Sequence, residues 1–161
     1  MAGISIARFP LHLGLGAAAL PQPEFTGAMD WYEGYSKRNA ADGSEGRLVT
    51  AHTFTADWTS WEVHPAGAEV VLCLSGEMTL HQEFPDGHLE QVTIGAGEYA
   101  INPPGVWHTA DIAGTATALF ITAGAGTGHR PRERPRERAQ NPATNDDKTA
   151  AMRHSGATPW S

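Results

Sequence analysis

From Arg47 to Ala125 the chain offers no long run with a helical period. It breaks instead into short alternating or apolar runs separated by glycine and proline. RLVTAHTFT alternates and is rich in β-branched residues, which reads as a strand, and SWEVH reads as another. EVVLCL is a continuous apolar run of a length that suits a buried strand. Turns at SGE, PDG, GAGE and PPG then separate MTLHQEF, HLEQVTI, YAIN, WHTADI and TATALFITA. About eight short strands with no convincing long helix among them predict an all-β fold, an antiparallel sandwich or barrel.

The flanks read differently. Residues 1–45 form an N-terminal arm in which Pro21 and Pro23 bracket a turn, and MDWYEGYSKRN suits one or two helical turns, weakened by Gly34. The arm is expected to pack on the body, residues 46–125, or on a second subunit. Residues 126–161 read as a flexible polar tail, or one weakly docked on the surface, carrying the repeat RPRERPRER, and its net positive charge suits contact with an acidic surface, the body's own included. At 161 residues, one folded domain is the expectation.

Charge narrows the function classes. The net charge is −7, and no Lys or Arg occurs between Leu48 and Gly128, where nine acidic residues stand. This excludes a nucleic-acid binder as a whole. An anionic ligand of this region would have to be held by a metal, a histidine or Arg47. No apolar run is long enough to span a membrane, so no membrane partner is expected. Arg8 followed by LHLGLGAAAL has the outline of a signal-peptide core, but Pro10 and His12 interrupt a short run, and the cytoplasm is the expected location over secretion. The one cysteine, Cys73, excludes an internal disulfide and lies in the apolar run VVLCL, as a buried inert thiol would.

Two stretches carry metal-type side chains at telling intervals. WEVHPAGAEVVLCLSG holds Glu62, His64, Glu69 and Gly76, and GEYAINPPGVWH holds Gly97, Pro103, Gly105 and His108. Glu62 and His64 are two apart on a strand and point to one face. Two histidines with one or two glutamates make a ligand set for one divalent transition metal.

These spacings resemble the two motifs of the cupin superfamily, G-x5-H-x-H-x3,4-E-x6-G and G-x5-P-x-G-x2-H-x3-N. His64, Glu69 and Gly76 fit the end of the first; Gly97, Pro103, Gly105 and His108 fit the second. The first motif's opening glycine falls at Ala56, its first histidine at Glu62, and the second motif's asparagine at Ile112. The resemblance implies a cupin-like jelly-roll barrel in which His64, Glu69 and His108 converge near one mouth on Fe, Mn or Zn. Glu62 is then either a fourth metal ligand or a catalytic general base.

The resemblance implies an enzyme acting on a small organic molecule. Iron would suit dioxygenase or oxidoreductase chemistry; manganese or zinc would suit metal-assisted isomerase or lyase chemistry. The alternative is a non-catalytic small-ligand-binding or sensor cupin without an essential metal. A homodimer is expected. Trp61 and Trp107 each precede a candidate ligand, so alternation turns them away from the pocket, toward the arm or a dimer interface. Val71, Cys73 and Val106 point inward by the same parity. His52 either donates a hydrogen bond behind a ligand or packs in the body, and packing is preferred; His129 and His154 lie outside the motifs.

Overall fold

The computed structural model describes residues 2–133. The remainder of the Pro-and-Arg repeat, and His154, lie outside the described residues. Eleven strands run in chain order: β1 (Leu11–Leu13), β2 (Ala19–Pro21), β3 (Arg47–Phe54), β4 (Ser60–Val63), β5 (Glu69–Ser75), β6 (Glu77–Glu83), β7 (Leu89–Gly95), β8 (Tyr99–Asn102), β9 (Trp107–Ile112), β10 (Ala116–Thr122) and β11 (Gly128–Pro131). They form a six-stranded sheet, β2-β1-β3-β10-β5-β8, and a five-stranded sheet, β11-β4-β9-β6-β7. All pairings are antiparallel. The fold is an all-β jelly-roll sandwich, and each of the eight strands read between Arg47 and Ala125 is present.

Alternation decides what lies between the sheets. Val71, Cys73, Met78, Leu80, Ile94, Ala116, Ala118 and Phe120 pack as one buried cluster with Trp58. Val106 is buried as well. His52 also points inward, among Phe25, Phe54 and Phe120 at ring separations of 5.3, 6.3 and 5.9 Å. It therefore packs in the core, and burial lowers its pKa to about 4.

The arm is more regular than its sequence suggested. Helix α1 spans Met29–Arg38, ten residues, longer than one or two turns. The cost of Gly34 is offset by tertiary packing of Trp31, Tyr32 and Tyr35 with Phe25 and Leu48. Strand β1 joins the sheet beside β3 of its own chain. A buried polar chain fastens the arm. His12 Nδ1 meets Tyr35 Oη at 2.7 Å and its Nε2 meets Asp42 Oδ2 at 2.7 Å. Burial, then the Asp42 charge, pushes the Tyr35 phenol up to about 12, so its proton stays in place for this contact.

The strand series also continues past Ala125. Strand β11 pairs with β4, placing His129 opposite Glu62 and Arg130 opposite Trp61. The basic composition that suggested a tail is used here for docking. The Arg130 guanidinium lies 5.1 Å from the Trp61 ring and 4.6 Å from the Trp107 ring, and reaches Glu83 at 2.6 Å. The two tryptophans do face away from the interior, but β11 rather than the arm covers them.

Gly76 closes the β5–β6 turn at φ +76, and a Cβ there would run into the Thr115 carbonyl oxygen. Gly76→Ala thus combines left-handed backbone strain with a backbone clash. We expect a loss of about 2–4 kcal/mol in chemical denaturation. A loss under about 0.5 kcal/mol, the scale of an ordinary surface change, would show that the turn adapts freely.

Candidate metal centre

The sandwich brings all four sequence-predicted residues to one end of its interior. Glu62 comes from β4 and His64 lies just past its end. Glu69 opens β5 and His108 is the second residue of β9. Register does the rest: Glu62 stands opposite His108 across β4–β9, and Gln82 stands opposite His108 across β6–β9. The PPG corner sets the approach to His108. Gly105 takes φ +75, which favours glycine, and its amide donates to the His64 carbonyl at 3.1 Å.

Ligand atoms of Glu62, His64 and His108 all lie within 4.8 Å of one another. Glu69 stands against both histidines, with Oε1 3.3 Å from His64 Nε2 and Oε2 3.1 Å from His108 Nε2. Each of the four side chains is at most 1% exposed. Two carboxylates this deep are costly unless something compensates their charge.

Glu69 is well supplied. Asn102 Nδ2 donates to its Oε2 at 3.0 Å and Thr122 Oγ1 to its Oε1 at 2.8 Å. Gln82 in turn donates to Asn102 Oδ1 at 2.7 Å. Burial alone would raise the Glu69 carboxyl. The adjacent His108 and then His64 outweigh it and hold the group well below the usual carboxylate range. For His108 burial would lower the imidazole, but the nearby Glu69 and, further off, Glu62 reverse the sign and raise it.

Glu62 is the opposite case. Among the described residues neither of its buried oxygens has a hydrogen-bond partner; the nearest imidazole nitrogens, His129 Nε2 and His64 Nε2, lie 3.5 and 3.9 Å away. Buried polar atoms without partners are rare in folded proteins and mark a place where something else binds. Two such oxygens beside His64 and His108 fit a cation. The tautomers agree with this. His108 Nδ1 lies 3.2 Å from the Val106 carbonyl, which can only accept, so Nδ1 carries the proton. Thr127 Oγ1 gives its proton to the Gly124 carbonyl at 2.8 Å and so accepts from His64 Nδ1 at 2.9 Å. In their neutral forms both rings then turn an Nε2 lone pair inward, the form a metal ligand needs.

Several contributors were not read from the sequence. Asn102, Gln82 and Thr122 carry no motif signal, because their role depends on cross-strand register. His129 lies 3.5 Å from Glu62 Oε1, although it falls outside both motifs. Tyr32 of α1 is buried near enough for the Glu62 charge, after burial itself, to raise its phenol. The arm thus roofs this end of the sandwich. Arg47 is engaged with the Ala68 carbonyl at 2.9 Å. His81 pairs with Asp111 at 2.7 Å beside an outer-face cleft of about 420 Å³, lined also by Trp61, Leu89 and Arg132.

Comparison with known proteins agrees with the fold and motifs. Residues 55–124 match the family model for the cupin domain. Those residues thus form a cupin domain within the chain. No curated protein matches it. Similar solved structures include a Neisseria meningitidis protein at 24% identity, covering 47% of this chain and 72% of that one, with TM-score 0.39. A Sphingomonas hydroquinone 1,2-dioxygenase with 4-hydroxybenzoate bound aligns at 15% identity over 47% and 58%, TM-score 0.43. A Bacillus subtilis oxalate decarboxylase aligns at 17% identity over 60% and 26%, TM-score 0.48. The chain therefore spans about a quarter of the oxalate decarboxylase. Among the described residues no helix is long and apolar enough to cross a membrane.

The two shifts fix a pH window for the metal-free protein. A depressed Glu69 stabilises the fold above its ordinary value of 4.5 and loses this as pH falls. A raised His108 stabilises it below 6.5 and loses this as pH rises through its folded value. Their joint contribution is greatest between those two values. Ring-proton NMR should show His108 titrating above 6.5, and lower in Glu69→Gln, where burial loses its main opponent. An unchanged His108 titration in that variant would break the assigned coupling.

Proposed function

We propose that this protein is a metal-dependent enzyme acting on a small organic molecule, with one divalent transition metal held by Glu62, His64 and His108 and completed by Glu69. The observation that carries this reading is the pair of Glu62 oxygens, buried without hydrogen bonds beside two inward-facing imidazoles. A two-histidine, two-carboxylate set suits Fe, Mn or Zn. When bound, such a metal supplies Lewis acidity or, if iron, redox chemistry with dioxygen, which covers dioxygenase or oxidoreductase and isomerase or lyase reactions.

The chain's own residues do the rest. Glu69, charged and fixed by Asn102 and Thr122, stays a rigid anion. Glu62 accepts no hydrogen bond of that kind, and we assign it both roles, metal ligand and general base. Trp58, Phe54 and Phe120 make the adjoining interior apolar and aromatic, which suits a largely apolar substrate and excludes water.

We further propose that two copies pair through the outer face of the six-stranded sheet. Its outward positions on β5, β8 and β10 include Val70, Leu72, Leu119 and Ile121, with Leu74, Tyr99 and Ile101 between 45 and 64% exposed. None is charged. The outer face of the other sheet, by contrast, carries Glu77, His81, Glu83, Asp111 and Arg130. A contiguous apolar face of this kind marks an interface. A second copy presents a matching apolar face.

Elemental analysis of protein prepared without chelator or histidine tag should find near-stoichiometric metal. His108→Ala should reduce it at least about tenfold. No metal in the wild type after reconstitution would overturn the enzyme reading and favour a metal-free binding module. On a sizing column the double variant Tyr99→Lys/Ile101→Lys should elute as a folded monomer. Elution unchanged from a dimeric wild type would move the interface elsewhere.

A further inference from the structure

The cupin match ends at residue 124, yet two side chains just beyond it touch the metal centre. Thr127 accepts from His64 Nδ1 at 2.9 Å. His129 brings Nε2 to 3.5 Å from Glu62 Oε1. Neither contact is accidental to the chain's path. Strand β11 pairs residue by residue with β4, and directly opposed residues share a face. His129 must therefore turn toward the interior with Glu62, and Arg130 outward with Trp61.

The outside contacts lock that register. Arg130 stacks on Trp61 and Trp107 and binds Glu83, while Arg132 reaches Asp111 at 2.6 Å and the Ala110 carbonyl at 3.2 Å. A slip of one residue would bury Arg130 and expose His129, which these contacts forbid. The two Glu62 oxygens are consequently in different places. Oε2 lies 3.9 Å from His64 Nε2, toward the ligand cluster, and Oε1 faces His129. The ligands are all but inaccessible, whereas His129 is 28% exposed, so it forms the solvent-facing edge of the centre.

We propose that Thr127 and His129 are positioning residues of the metal centre, supplied by the strand that follows the cupin domain. His129 stands over Oε1 of Glu62 at 3.5 Å, short of a hydrogen bond in the metal-free chain, and closes on it when the cation takes Oε2. Thr127 holds the His64 Nδ1 proton and leaves Nε2 for it. Glu62 stands where the first motif has a histidine, and a carboxylate, with two equivalent oxygens and a free terminal rotation, needs such an outside partner to be pinned. This rests on the metal-centre reading above.

The test is Mn(II) and Co(II) binding by the full chain, measured by titration calorimetry together with the Mn(II) electron paramagnetic resonance spectrum. His129→Ala and Thr127→Val should each weaken binding about 10–100-fold and broaden the spectrum. His129→Gln, which keeps a donor near the Nε2 position, and Thr127→Ser should restore affinity and spectrum most of the way. Thermal melts of the metal-free variants separate misfolding from a local effect, and the two conservative variants keep the test readable if an alanine variant fails to fold. Wild-type binding with His129→Ala unchanged in affinity and spectrum would overturn the role of His129 alone. No rescue by His129→Gln in a folded protein would also overturn it. A wild type that binds neither metal would remove the centre itself, and this inference with it.

Discussion

Two carboxylates sealed between the sheets, each at 1% exposure, set the terms for the rest of this molecule. An isolated buried carboxylate is among the costliest groups a fold can carry. Glu69 meets that demand with neutral donors from Asn102 and Thr122 and with two imidazoles. Glu62 has no hydrogen bond among the described residues, and on the reading proposed above an outside positive charge offsets it. The same end of the interior gathers Gln82, Asn102, Thr122 and His108. Beyond them the interior is mainly apolar, with His52 among the aromatic rings and Thr50 buried on the same strand.

The secondary elements can be read as answers to this placement. The α1 helix and Phe25 close the mouth, keeping bulk water from the centre and strengthening every charge interaction inside. The His12 contacts with Tyr35 and Asp42 join β1, α1 and the turn before β3, so the roof is attached at several points. The β11 strand closes the opposite flank, beside β4. Both coverings come from outside the matched domain, which supplies the four candidate ligands and leaves their enclosure to its neighbours in the chain.

This division explains what was legible in the sequence. Period-two alternation and Gly/Pro turns are local properties, so the eight central strands and the inward parity of Val71, Cys73 and Val106 could be read directly. The motif spacing likewise placed Glu62, His64, Glu69 and His108 on converging strands. Helix α1 was under-read because Gly34 lowers intrinsic propensity while tertiary contacts of Trp31 and Tyr32 decide the outcome. Strand β11 was read as tail because GHRP has a tail's composition, and its stability lies in arginine stacking on two tryptophans some 20 to 70 residues earlier in the chain. Asn102 and His129 were invisible for the same reason: register between strands distant in sequence is a global property. The second motif's missing asparagine, Ile112, gave no hint that Asn102 supplies an amide to the centre from the neighbouring strand.

The replacement of a motif histidine by Glu62 alters the charge balance of the buried site as well as its ligand type. With neutral imidazoles, two carboxylates cancel a divalent cation, and the filled centre is neutral, the state that burial favours most. Without the cation, a proton on His108 is the compensation at hand, which accounts for its raised affinity for protons beside Glu69 and Glu62. On the metal-centre reading proposed above, a proton and a metal would compete for His108 Nε2, so binding would weaken as pH falls. A histidine at position 62 would leave a filled centre with one net positive charge inside a low-dielectric core. The carboxylate avoids that charge at the expense of a mobile, two-oxygen ligand, and the neighbouring β11 strand is positioned to restrain it.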